Sequence, residues 1–158
     1  MRSHGTVRPM IGVHKLNNFI GSWVGEECLR PTAWTESGVA EGTFVIAEAP
    51  LGGVLIDYTE TRDGQIVLRG HGVLAEQGWW WFDSFGYVPT TPGAASWHDN
   101  SLVLERSSER GRTTMRLWIE DDALHQEIET AVPAAAEFAP MLFGRYERAP
   151  ATASTPRA

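Results

Sequence analysis

The sequence predicts an all-β protein: a closed antiparallel up-and-down β-barrel of about nine or ten strands with a short N-terminal helix. Two observations carry that expectation. From Trp23 onward the chain runs in short apolar or alternating segments, and turn-forming residues separate them at intervals of about eight to twelve positions. The chain is also 158 residues long, the size of one ordinary domain with a proper core.

The elements follow in order. Residues 12–20 place Leu16, Phe19 and Ile20 at helical spacing, so a short helix is expected across one end of the sheet. Strands are expected at 23–30, 39–49, 54–61, 66–75, 79–84, 101–106, 112–119, 123–130 and 141–148. The connections Asp63-Gly64, Glu76-Gln77-Gly78, Asp99-Asn100, Glu109-Arg110-Gly111 and Asp121-Asp122 are turn-forming. Consecutive hairpins make a meander, and a meander of this length tends to close because closure removes exposed edges. Residues 1–10 and 149–158 lack periodicity and are expected to be disordered, leaving 11–148 as the barrel.

Twenty acidic residues against thirteen basic give a formal charge of −7, which repels phosphate backbones and anionic membrane surfaces. Neither nucleic acid nor a membrane is expected as a partner. The one cysteine, Cys28, has no partner for an internal disulfide and assembles no metal cluster. With no apolar run long enough for a secretion signal or an anchor, the expected location is the cytoplasm.

The stretch Leu16-Asn-Asn-Phe-Ile-Gly-Ser-Trp-Val-Gly-Glu-Glu27 resembles the opening of lipocalin-like barrels, in which a Gly-x-Trp follows a short helix. That resemblance implies that Trp23 plugs the barrel floor. Together with Gly52-Gly53, Gly70-His-Gly72, Trp81-Phe-Asp-Ser-Phe-Gly86 and Gly144-Arg-Tyr-Glu-Arg148, the opening is similar to a bacterial calycin-like domain of unknown function, family 1579. The likeness implies a barrel and no particular activity. More distantly, Gly21-Ser-Trp-Val-Gly25 resembles the opening of haem-binding nitrobindin barrels, where a late histidine is the axial ligand. The last strand here has no histidine, and His125 alternates with Glu127 and Glu129 as on a wet face. Neither haem nor another cofactor is expected.

Hairpin turns set strand registers, and registers point to a site. A two-residue turn at Asp63-Gly64 pairs Arg62 with Gln65, which sets Tyr58 opposite Arg69 and Ile56 opposite His71. A three-residue loop at 76–78 pairs Ala75 with Trp79, which sets His71 opposite Asp83. One face then carries Tyr58, Arg69, His71, Trp79, Trp81 and Asp83 along with Val54, Ile56 and Val73. Aromatic bulk with a few convergent polar groups is the usual composition of a small-molecule pocket. A one-residue difference around Gln77 would separate His71 from Asp83. The opposite face holds Leu55, Leu68, Gly70, Gly72, Leu74, Trp80 and Phe82. It is too apolar for open water, and either the N-terminal helix or a second subunit in a homodimer would cover it.

Bland roles stand beside these. Trp79-Trp80-Trp81 also suits plain packing, His71 with Asp83 a satisfied pair, Arg69 with Tyr58 a wall contact, and Arg116 with Glu127 a surface pair. Two functions follow. The barrel binds an apolar or aromatic small molecule oriented by His71, Arg69 or Tyr58. Alternatively it is a cofactor-independent enzyme, an isomerase or cyclase or an acid–base catalyst, with His71 as the base tuned by Asp83.

Overall fold

The computed structural model describes residues 12–33, 36–50, 52–135 and 137–150. Among the described residues there are ten strands: β1 (Gly21–Leu29), β2 (Gly38–Glu48), β3 (Val54–Arg62), β4 (Gln65–Ala75), β5 (Gly78–Asp83), β6 (Ala94–His98), β7 (Ser101–Ser108), β8 (Gly111–Glu120), β9 (Ala123–Ala131) and β10 (Ala139–Arg148). They form one sheet in the order β5-β4-β3-β2-β1-β10-β9-β8-β7-β6, every paired strand antiparallel to its neighbour. The first strand pairs with the last, so the weak point of the cylinder lies elsewhere. β5 and β6 are joined by the connection 84–93 and touch through one bridge, in which Trp79 and Gly93 exchange backbone hydrogen bonds of 3.1 and 2.7 Å. The barrel is therefore closed everywhere except at a thin seam.

The turns behave as their chemistry dictates. Asp63 and Gly64 both take positive φ (49° and 75°), as do Asp121 and Asp122 (51° and 58°). That is the backbone hand that matches the twist of a two-residue hairpin, and Asp and Gly reach it at little cost. The strand missing from the sequence reading is β6. Its Ala-Ala-Ser-Trp-His follows a proline-rich connection and shows no clean alternation, yet the Asp99-Asn100 turn after it required a strand on its near side. The N-terminal helix is a 3-10 helix, Val13–Phe19. Of the two termini expected to be disordered, residues 1–10 and 151–158 lie outside the described residues, while the Ala149 N–H still donates to the Ser22 carbonyl at 2.8 Å.

Alternation puts one residue in two inside, and the interior is where the apolar side chains gather. Trp23, Phe44, Leu74, Leu102, Leu104, Leu117, Leu124 and Tyr146 are almost fully buried. One end is plugged. Trp23 donates its indole N–H to the Phe19 carbonyl at 2.8 Å, and the Arg148 guanidinium lies 4.2 Å over the indole ring. Arg148 also donates to the carbonyls of Ile20 and Asn18, both at 3.1 Å, which fastens the 3-10 segment across that end.

Two registers differ from expectation, and they explain which side chains face inward. Arg62 does pair with Gln65, but Thr61 pairs with Ile66 and Glu60 with Leu68, so Val67 is an extra residue in β4. This bulge shifts all later pairs by one. Tyr58 is opposite Gly70, Ile56 opposite Gly72, and His71 opposite Asp57. The β4–β5 turn is two residues long, Glu76-Gln77, so Ala75 pairs with Gly78 and His71 with Phe82. The two one-residue differences cancel at β5 and leave β4 turned over. Gly70, Gly72 and Leu74 face inward, while Arg69 and His71 face outward.

Candidate functional site

At the end opposite the Trp23 plug the barrel opens into a recess of about 460 Å³, which runs from Trp79, Trp81 and Tyr58 to the turn residues Arg62 and Arg110. Its deep wall is aromatic because β3 and β5 alternate Tyr58, Trp79 and Trp81 inward. Trp81 lies 6.3 Å from both Trp79 and Tyr58 between ring centres, and Tyr58 lies 4.8 Å from Phe44. The glycines of β4 make this possible. A Cβ on Gly70 would be driven into the indole of Trp81, and one on Gly72 would press on it at 3.2 Å. The Gly70-His-Gly72 element is thus a bed for Trp81, and only its glycines matter to the interior. Met115, Ile128 and Leu142 complete the apolar wall.

Beneath the recess sits a polar cluster that the alternation of β1 carries inside. Glu27 is fully buried on the face that also holds Trp23 and Leu29. The Tyr58 hydroxyl lies 2.7 and 2.8 Å from its two oxygens, and the Tyr146 hydroxyl donates to Oε1 at 2.6 Å. Tyr146 also meets the Gln126 amide at 2.8 Å, and with its proton given to Glu27 it needs the NH2 side of that amide. Room for the carboxyl comes from Gly42, where a Cβ would collide with Glu27. Burial dominates the electrostatics, since loss of water disfavours the ionised form. It pushes the Glu27 carboxyl up to about 7 against the stabilising tyrosine hydrogen bonds, with nearby Glu60 adding to the rise. Burial and the adjacent Glu27 raise both tyrosines well above their ordinary value, so they remain hydroxyl donors.

The mouth carries the charged groups. Glu60, buried on β3, receives a 2.9 Å hydrogen bond from Arg62 Nε. Asp83 Oδ1 accepts from the backbone N–H groups of Phe85 and Tyr87, at 3.0 and 3.4 Å, and so pins the start of the connection 84–93. Arg106 follows Leu102 and Leu104 on the inner face of β7, and its guanidinium stacks 4.6 Å over the Tyr87 ring. Burial draws the Arg106 guanidinium below its ordinary value, with the Asp83 charge acting in the opposite sense.

Of the residues expected at a site, the structure brings Tyr58, Trp79, Trp81 and Asp83 to the recess and does not bring Arg69 and His71 there. The His71–Asp83 pairing does not form. His71 Nδ1 instead meets Asp57 Oδ1 at 2.7 Å on the outer surface, where both side chains are about half exposed or more. Arg69 is likewise outside, and its backbone N–H donates to Ser84 Oγ at 3.0 Å. His125 stacks on Trp118 at 5.1 Å beside a shallow outer depression, and Arg116 does lie opposite Glu127. Glu27 and Arg106 were missed. The available signal was a charged residue in phase with an apolar face, Trp23-x-Gly-x-Glu-x-Leu29 and Leu102-x-Leu-x-Arg106, which marks a buried charge wherever the strand assignment is sound.

No protein-family model matches the chain, that of family 1579 included, and no curated protein matches it in sequence. Solved structures do resemble the barrel. Rv2717c from M. tuberculosis is 13% identical with a TM-score of 0.69, over 90% of this chain and 100% of that one. A DUF3598 family protein of unknown function from Nostoc punctiforme is 12% identical with a TM-score of 0.58, over 92% of this chain and 53% of that one. A mutant of the fluorescent protein UnaG is 12% identical with a TM-score of 0.50, over 85% of this chain and 99% of that one. At such identities the likeness shows the fold alone: a ten-stranded antiparallel barrel of the calycin-like kind.

Proposed function

We propose that the protein binds an apolar or aromatic small molecule in the recess of its barrel. The observation that carries this reading is the recess itself. About 460 Å³ bounded by Trp79, Trp81, Tyr58, Met115 and Ile128, with a few polar groups at the two ends, matches the size and composition of ligand pockets. Apolar walls supply the burial energy, roughly 25 cal/mol for each Å² withdrawn from water. Tyr58, Asp83 and Gln126 offer the sparse hydrogen bonding that orients a guest. An acid–base enzyme built on His71 and Asp83 is not supported, because those side chains stand on opposite faces of the sheet.

Phenylnaphthylamine, an uncharged aromatic dye that brightens in apolar surroundings, tests the reading. Titration is expected to give saturable one-to-one binding with quenching of tryptophan emission. Met115→Trp, which fills the recess, is expected to weaken that binding at least about ten-fold. Absence of saturable binding, or equal affinity in Met115→Trp, would contradict the proposal.

A further inference from the structure

We propose that the molecule held in the recess carries an oxyanion, a carboxylate or sulfonate type of group, and that Arg106 is the residue that receives it. The inference rests on the binding reading above and adds the chemical class of the ligand and the position of its head.

Three observations support it. Arg106 is drawn inward by the alternation of β7, lies over Tyr87, and lines the recess. Its Nη1 is buried and has no hydrogen-bond partner among the described residues. A buried guanidinium N–H without an acceptor is costly, so sites of this kind are normally completed by an acceptor, and an anion completes them best. Of the carboxylates on the recess wall, Glu36 is exposed and the other two already accept hydrogen bonds. Glu60 is held by Arg62 at 2.9 Å, and Asp83 Oδ1 is taken by two backbone N–H groups of the connection 84–93. Asp83 attracts Arg106 through space, but among the described residues no carboxylate lies within ion-pair distance of it. Arg110, also on the recess wall, adds a second positive charge close enough to act on Arg106. Two cations converge where the aromatic wall ends, which fits a guest whose apolar body lies on Trp79 and Trp81 and whose anionic head points to the mouth. Arg106 is well suited to this, because the guanidinium fork can grip two oxygens of one group while its stacking on Tyr87 fixes its plane.

The test uses a matched pair of dyes, anilinonaphthalene sulfonate and phenylnaphthylamine, which share one ring system and differ by the sulfonate. Each is titrated into the full-length protein and into Arg106→Leu. In Arg106→Leu the sulfonate is expected to bind about ten- to a hundred-fold more weakly, while phenylnaphthylamine changes by no more than about two-fold. Arg106→Gln, which keeps a polar side chain and removes the charge, is expected to give the same selective loss, and it serves if the leucine variant does not fold. If phenylnaphthylamine binds and the sulfonate is unaffected by either substitution, the head-group assignment is overturned while the recess stands. If neither dye binds the wild-type protein, the recess reading fails and takes this inference with it.

Discussion

Replacing Glu27 by glutamine is expected to flatten the protein's stability between about pH 5 and pH 8. Glu27 has no contact with solvent, and burial raises its carboxyl to about 7 from an ordinary 4.5. A carboxyl whose pKa is higher in the folded than in the unfolded chain binds more protons when folded between those two values, so stability falls as pH rises through that window. The contribution is fully present below the unfolded value and is lost above the folded one. A difference of this size corresponds to about 3 kcal/mol, or roughly three-hundred-fold in the folding equilibrium. Glutamine preserves the shape, can accept from one tyrosine and donate to the other, and has nothing to titrate. Urea unfolding of both proteins at pH 5 and pH 8 measures the effect. The wild-type protein is expected to lose about 2–3 kcal/mol relative to Glu27→Gln over that interval, and parallel pH profiles would show that Glu27 does not titrate there. Tyr58 and Tyr146 stay protonated throughout, so within this cluster the difference between the two profiles belongs to the carboxyl.

Trp23→Ala is expected to cost about 3–5 kcal/mol, because it removes a fully buried indole and leaves a cavity at the plugged end. The loss is more than volume. The indole N–H holds the Phe19 carbonyl, and the ring is the platform for Arg148, which in turn binds the carbonyls of Asn18 and Ile20. Phe19 also packs at 6.0 Å from Trp97 on β6, so loosening the segment reaches the strand beside the seam. Thermal unfolding gives the size of the effect, and amide hydrogen exchange gives its location. Faster exchange is expected in the 3-10 segment and in β6 ahead of β9 and β10. A change below about 1 kcal/mol would mean that Trp23 does not hold the end of the barrel together.

The barrel was legible because its signals are local. The Asp63-Gly64 and Asp121-Asp122 hairpins, the period-two alternation of β3 and β7, and the Gly21-Ser-Trp23 opening each report on a few residues at a time. That Trp79 and Trp81 share one face followed from alternation within a single strand. The orientation of β4 did not. It depends on counting residues between strands, and one bulged residue at Val67 with one residue fewer in the turn at Glu76-Gln77 exchanged its two faces. Bulges are settled by twist and packing across the sheet, which a linear pattern does not carry. His71 and Arg69 were therefore assigned to an interior they do not enter. The buried charges went unrecognised for a different reason. The hydrogen-bond partners of Glu27, Tyr58 and Tyr146, come from strands far away in sequence.

The direct test of the central claim is to locate the bound dye. Two-dimensional amide and indole N–H spectra of the protein, recorded with increasing phenylnaphthylamine, report every perturbed position. The account predicts that shifts concentrate on the Trp79 and Trp81 indoles, Tyr58, Tyr87, Met115 and Ile128, which surround the recess. Shifts confined to Trp118, His125 and Phe143, around the shallow depression on the outer wall, would contradict it.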